Sequence, residues 1–164
     1  IKVDIDEYKR AAPGEILETR GVSTCTAITV CLPGRFGYLA HISPRDKIYG
    51  PENLTHLLKH IILKIQYFDI HLNEIPALQF VVIANHLNSI SNILERLVSY
   101  GVRLSQIRFL YNPDGRYASV SFDCAANAVL VEWTPQEPLR QHQCQHASDA
   151  EDLGTVAEKI FQYR

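Results

Sequence analysis

Cys25 and His41 are the two residues in this chain whose types and placement could do covalent chemistry together. A thiol becomes a useful nucleophile at neutral pH when a base or cation stands beside it. An imidazole can take that proton and later hand it to a leaving amine. Both groups sit in the stretch Thr19 to Ser43, on segments that read as neighbouring strands. Residues 25–32 are β-branched, small or apolar, and the pattern resumes over 36–42 after Pro33-Gly34-Arg35, a turn sequence. Alternation along a strand places Cys25, Ala27, Thr29 and Cys31 on one face, and Gly37, Leu39, His41 and Ser43 on one face of its partner.

Loop parity decides whether those faces coincide. A three-residue loop pairs Leu32 with Phe36, sets Cys25 opposite Ser43 and His41 opposite Ala27, and leaves thiol and imidazole as diagonal neighbours about 7 Å apart at the backbone. A two-residue Pro-Gly loop would send them to opposite faces. We expect the odd loop. Upstream, Gly21-Val22-Ser23-Thr24 lets the backbone turn tightly ahead of the thiol, where N–H groups near Thr24 and Cys25 can face a developing oxyanion. The same spacing is also what a buried apolar cysteine and a satisfied core histidine would show.

The order Thr19, Gly21, Cys25, a hydrophobic strand, a turn and G-x-L-A-H ending at His41 resembles the CheD-type chemoreceptor glutamine deamidases. That family carries T-L-G-L-G-S-C, a strand and a G-G-L-A-H segment. The wider superfamily, with the cytotoxic necrotizing factor toxins and the protein N-terminal asparagine amidohydrolases, shares a Cys-His pair placed in this way. The resemblance implies that Cys25 is the nucleophile, His41 the general base and Thr19 the threonine that assists the histidine. It implies an α+β fold, a mixed β-sheet sandwich with helices packed on one face, and chemistry that calls for no cofactor and no metal. Ser23, Thr24 and Ser43 are then expected at the oxyanion or substrate, and the polar loop after a central strand would bring Asn85 and His86 to face the substrate.

Two departures bear on specificity. Ser23-Thr24 stands where the CheD family has Gly-Ser, so that S-T-C is closer to the T-T-C of the asparagine amidohydrolases. Ser43-Pro44-Arg45 replaces the family's downstream Leu-Pro. The expected activity is hydrolysis of a side-chain carboxamide on a protein or peptide through a Cys25 thioester. The alternatives are an N-terminal Asn/Gln amidohydrolase and a non-catalytic interaction domain of the same fold.

Composition sets the outer bounds. With 164 residues, 46% of them hydrophobic and 21% charged, the chain reads as one globular domain over 1–164. Its core spans about 15–133, and a polar loop and helix follow over 134–164. A net charge of -2 and the lack of a basic stripe give no electrostatic case for nucleic acid. No apolar run approaches the roughly 20 residues a membrane helix needs, so no membrane insertion is expected. Cys25, Cys31, Cys124 and Cys144 form no C-x-x-C pair, and a thiol nucleophile favours a reducing, cytoplasmic setting. The chain starts at Ile1 and contains no methionine, so a trimmed or processed start is expected, leaving open a removed signal or upstream domain. Oligomeric state is not legible.

Other elements must position the pair. Residues 1–6 alternate apolar and charged and read as a short edge strand, followed by a polar link through Ala12-Pro13-Gly14. Residues 15–19 would be the next strand, delivering Thr19. Pro51 opens a helix whose stripe is Leu54, Leu57, Leu58, Ile61, Ile62, Ile65 and Phe68. His56 and His60, four apart on it, read as a solvated face. Residues 78–84 are a central strand, and Asn85 to Asn88 leads to a helix from Ser89 or Ser91 to Tyr100, stopped by Gly101. Residues 106–111, 116–123 and 128–133 read as a three-stranded meander. His142, Cys144 and His146 offer three possible metal ligands without a fourth, and read as flexible loop. Ser148-x-x-Glu151 caps a closing helix with a stripe of Leu153, Val156, Ala157, Ile160 and Phe161.

Overall fold

The computed structural model describes residues 1–43, 60, 61, 63–65, 76–85, 87–111, 117–134, 145 and 146. Its elements run β1 (Glu7–Ala11), β2 (Ile16–Val22), β3 (Thr26–Leu32), β4 (Phe36–Ile42), β5 (Gln79–Ala84), α1 (Leu87–Ser99), a 3-10 turn (Leu104–Gln106), β6 (Ile107–Tyr111), β7 (Tyr117–Asp123), β8 (Ala128–Thr134) and β9 (Gln145–His146). The fold is α+β, with two sheets. One has the order β1-β4-β3-β5-β6-β9, the other β2-β7-β8.

Every residue of β3 and β4 is buried, which a strand tolerates only when both faces are covered. On one face, Ile28, Val30, Tyr38 and Ala40 join Phe80 and Val82 under Ile90, Ile93, Leu94 and Leu97 of α1. On the other, Ala27, Cys31, Leu39, Val81 and Ile83 meet Leu17, Val22, Ala118, Val120 and Phe122 of the smaller sheet. Helix, large sheet and small sheet are therefore layered, and the seam between the sheets is the layer that matters for Cys25 and His41. It is tight at Gly37, where a Cβ would stand 2.5 Å from Cε1 of Phe122. Helix α1 starts at Leu87, earlier than Ser89, and ends on Gly101 at φ 90°, with Val102 N–H donating to Leu97 O at 3.0 Å and Gly101 N–H to Val98 O at 3.0 Å.

Two expectations change. Residues 1–6 do not form the edge strand. Lys2 instead makes a lone parallel bridge to Glu18, and Asp6, at φ 61°, turns the chain so that β1 comes from the stretch read as linker. The 106–111 strand does not join a meander either: β6 lies parallel to β5 after the α1 crossover, and β7 and β8 pair with β2. Burial separates them, since β6 is buried or half-buried throughout whereas β7 alternates buried and half-exposed positions, as a strand with one solvated face does. Of the long helix expected from Pro51, only 60, 61 and 63–65 are described, with Ile61 and Ile65 in the core and His60 exposed. The closing helix over 148–164 and His56 lie outside the described residues, as do His142 and Cys144; His146 contributes backbone to β9. No helix among the described residues is long and apolar enough to cross a membrane.

Candidate active site

The hairpin loop is odd. Leu32 pairs with Phe36, leaving Pro33, Gly34 and Arg35 as the turn, with Gly34 at φ 78° and Arg35 N–H donating to Leu32 O at 3.0 Å. His41 accordingly opposes Ala27, and Thr26 opposes Ile42 on one side and Ala84 on the other. Continuing both registers by one residue sets Cys25 between Ser43 and Asn85, all three on the face turned to the small sheet. Cys25 keeps 8% of its surface, whereas His41 keeps none. The thiol thus lies at the rim of the seam and the imidazole inside it.

Thr19 arrives from the other sheet, just ahead of a bulge. In β2, Leu17 and Thr19 point into the seam, and strict alternation would send Gly21 in next and Val22 out. The register against β7 shifts between Thr19 and Val22, and Gly21 takes the left-handed conformation at φ 73°, so Val22 points inward instead. This extra residue is what glycine supplies cheaply in a bulge, and it turns the chain toward the Ser23 to Cys25 bend.

Thr19 Oγ1 lies 2.7 Å from Nδ1 of His41, and the same hydroxyl donates to Val3 O at 2.8 Å. A hydroxyl has one proton. With that proton on Val3, Oγ1 can only accept from the ring, so Nδ1 carries the hydrogen and Nε2 carries the lone pair. Nε2 is buried and has no hydrogen-bond partner among the described residues, so it is not bonded to the thiol in this state. Burial pushes the His41 pKa down from its ordinary 6.5, and the negative charges of Asp6 and Asp4 act in the opposite direction. The imidazole is therefore neutral at pH 7, fixed in one tautomer, with its basic nitrogen unspent.

Sequence reasoning missed Asp6. Its N–H donates to His41 O at 2.6 Å, and its carboxylate accepts from Ser43 N at 2.9 Å and from Ser43 Oγ at 2.8 Å. The end of β4 is thereby clamped from outside, and the hydroxyl proton of Ser43 is directed at Asp6. The available signal was the short acidic turn Asp4-Ile5-Asp6, since aspartate tolerates a left-handed backbone. Val3 acts through its carbonyl and leaves no mark in the sequence.

Asn85 is buried at the end of β5 and donates from Nδ2 to Val22 O at 3.5 Å, a bond at the limit of useful length. Thr24 is exposed and Ser23 half-buried at the mouth, and His86 lies outside the described residues. A concavity of about 440 Å³ opens elsewhere, on the outer face of the small sheet beside Glu18, Arg20, Ser121, Leu130 and Glu132, with that sheet between it and His41. Neither a model of any known protein family nor any curated protein matches the chain.

Proposed function

We propose that the chain is a cysteine-dependent amidohydrolase of CheD type, a protein glutamine deamidase acting in the cytoplasm on a protein or peptide substrate. The observation that supports it is the buried His41, with Nδ1 tied to Thr19 and Nε2 held as a lone pair on the face that carries Cys25. An orphaned buried nitrogen costs about 1–3 kcal/mol, and a catalytic task is one reason a fold keeps such a group.

On this reading Nε2 takes the Cys25 proton and the thiolate attacks the side-chain amide carbon. Backbone N–H groups at Thr24 and Cys25 face the oxyanion, and His41 returns the proton to the departing ammonia. Water then cleaves the thioester, releasing a carboxylate and restoring the thiol. Cys25 and His41 are the reacting groups. Thr19 is a positioning residue, and Asn85 carries a buried amide beside Cys25 in the sheet register that can meet the substrate.

Intact-mass measurement of candidate substrates tests this, with glutamine and asparagine peptides bearing free or blocked N-termini as a first panel. A gain of about 1 Da per amide hydrolysed is expected with the parent enzyme and not with Cys25→Ala. Hydrolysis confined to free N-termini would move the assignment to an N-terminal amidohydrolase. Activity that survives Cys25→Ala would end the proposal.

A further inference from the structure

At the far end of β3 the seam holds two further thiols. Cys31 and Cys124 are both fully buried, and neither Cys25, Cys31 nor Cys124 is in a disulfide. Cys31 Sγ–H points at Cys124 O over 3.5 Å, and the two thiols lie close enough for each to bear on the other's protonation. Cys124 follows β7 in the small sheet, and Cys31 lies on β3 in the large one. Gly37 is the cross-strand partner of Cys31, and the Cβ it lacks would fall 3.0 Å from Cβ of Cys124. Glycine there keeps clear the space between the two cysteines.

We infer that Cys31 and Cys124 are a disulfide pair, which closes across the two sheets when the chain folds in the presence of a small-molecule disulfide such as oxidised glutathione. One cysteine thiolate attacks glutathione disulfide, forming a mixed disulfide and releasing one glutathione. The second thiolate displaces the other glutathione, so one S–S bond forms and two electrons leave with the two glutathione thiols. Closure belongs to folding because the finished seam opposes it: burial pushes the Cys31 pKa up to about 12 and raises that of Cys124, so neither native thiol supplies the attacking anion.

Once β3 has formed, geometry keeps Cys25 out of the exchange. It stands six residues from Cys31 along an extended chain, roughly 20 Å away. A disulfide needs Cα atoms within about 7 Å. The pairing would leave Cys25 with neither Cys31 nor Cys124 as a disulfide partner, so a thiol-dependent site of the proposed kind would keep its thiol when those two are oxidised.

The test is to refold the denatured, reduced chain in a glutathione redox buffer, block remaining thiols with N-ethylmaleimide and map the peptides by mass spectrometry. A Cys31–Cys124 cross-linked peptide should dominate, with Cys25 recovered as the maleimide adduct. The folded, reduced protein should acquire the link at least about tenfold more slowly in the same buffer. The linked form should melt roughly 5–10 °C higher than the reduced form. Recovery of Cys31 and Cys124 as maleimide adducts, a dominant link from either to Cys25 or Cys144, or a lower melting temperature in the linked form would each overturn the assignment. The mapping uses the parent chain, so it holds even if Cys31→Ala or Cys124→Ala does not fold.

Discussion

Replacing Thr19 with valine keeps the shape of a wholly buried side chain and removes one oxygen, so the consequences follow from the hydrogen bonds it made. Thr19 Oγ1 accepts from His41 Nδ1 at 2.7 Å and donates to Val3 O at 2.8 Å. Each buried group left without its partner costs about 1–3 kcal/mol, and the methyl gained returns about 0.8 kcal/mol, so Thr19→Val should destabilise the fold by roughly 1–5 kcal/mol. The chemical effect is separate. With no acceptor at Nδ1, the ring proton loses its reason to stay there, and a shift to Nε2 would extinguish the lone pair on that nitrogen. Any His41-assisted reaction of Cys25 should then fall by about 10²–10⁴-fold, the usual contribution of a general base. Urea unfolding reads the first effect and 15N spectra of the imidazole the second, with Thr19→Ser expected to restore the tautomer. A Thr19→Val protein within about 0.5 kcal/mol of the parent, with Nε2 still unprotonated, would refute the proton assignment.

Gly37→Ala should cost about 1–3 kcal/mol in chemical denaturation, because the new methyl meets the buried Phe122 ring at 2.5 Å and the sheets must part to admit it. Acid should weaken the fold through His41: the unfolded chain binds a proton below about pH 6.5 and the folded chain only lower, so this contribution is complete above 6.5 and declines as pH falls. Alkali should weaken it through Cys31, whose proton is held to about 12 in the fold but released near 9.0 in the unfolded chain, so stability declines as pH rises above 9.0. Denaturation midpoints against pH should show both limbs, and Cys31→Ala should flatten the alkaline one. Asp6→Asn should lower the His41 pKa further in an NMR titration, by removing the larger of the opposing charge effects; a rise would refute the stated cause.

The hairpin and its face were legible because one short-range rule, loop parity, sets them. Pro33-Gly34-Arg35 and the apolar runs on either side suffice to put Cys25 and His41 on a common face. Residues 78–84 were legible as a central strand for a similar reason, being apolar throughout. The N-terminal segment was not. Alternation in residues 1–6 resembles a strand, but Asp6 spends its side chain on Ser43 and its N–H on His41 O, contacts 35 or more residues apart that local periodicity does not encode. The assignment of β6 failed likewise, since its partner is chosen by the α1 crossover and not by the nearest strand in sequence. The bulge at Gly21 was half visible: glycine marked a turn, but that it reverses which of Gly21 and Val22 faces inward depends on the partner strand β7.

In serine and cysteine triads a single acidic residue does two jobs: it fixes the tautomer of the histidine and it stabilises the imidazolium that forms when the nucleophile gives up its proton. On the proposed reading the jobs are divided here. Thr19, neutral, fixes direction and tautomer through one hydrogen bond. Charge compensation comes from Asp6 and Asp4, which act on the ring through space, Asp6 through a carboxylate already occupied with Ser43. A buried imidazole resists protonation because desolvation penalises the cation, so the basic form persists at neutral pH while the cation is costly to make. The compensation is partial, since the His41 pKa still ends below its ordinary value. On the proposed reading, a site arranged this way keeps its base ready but meets its cost at the proton transfer itself, so the expected turnover is slow.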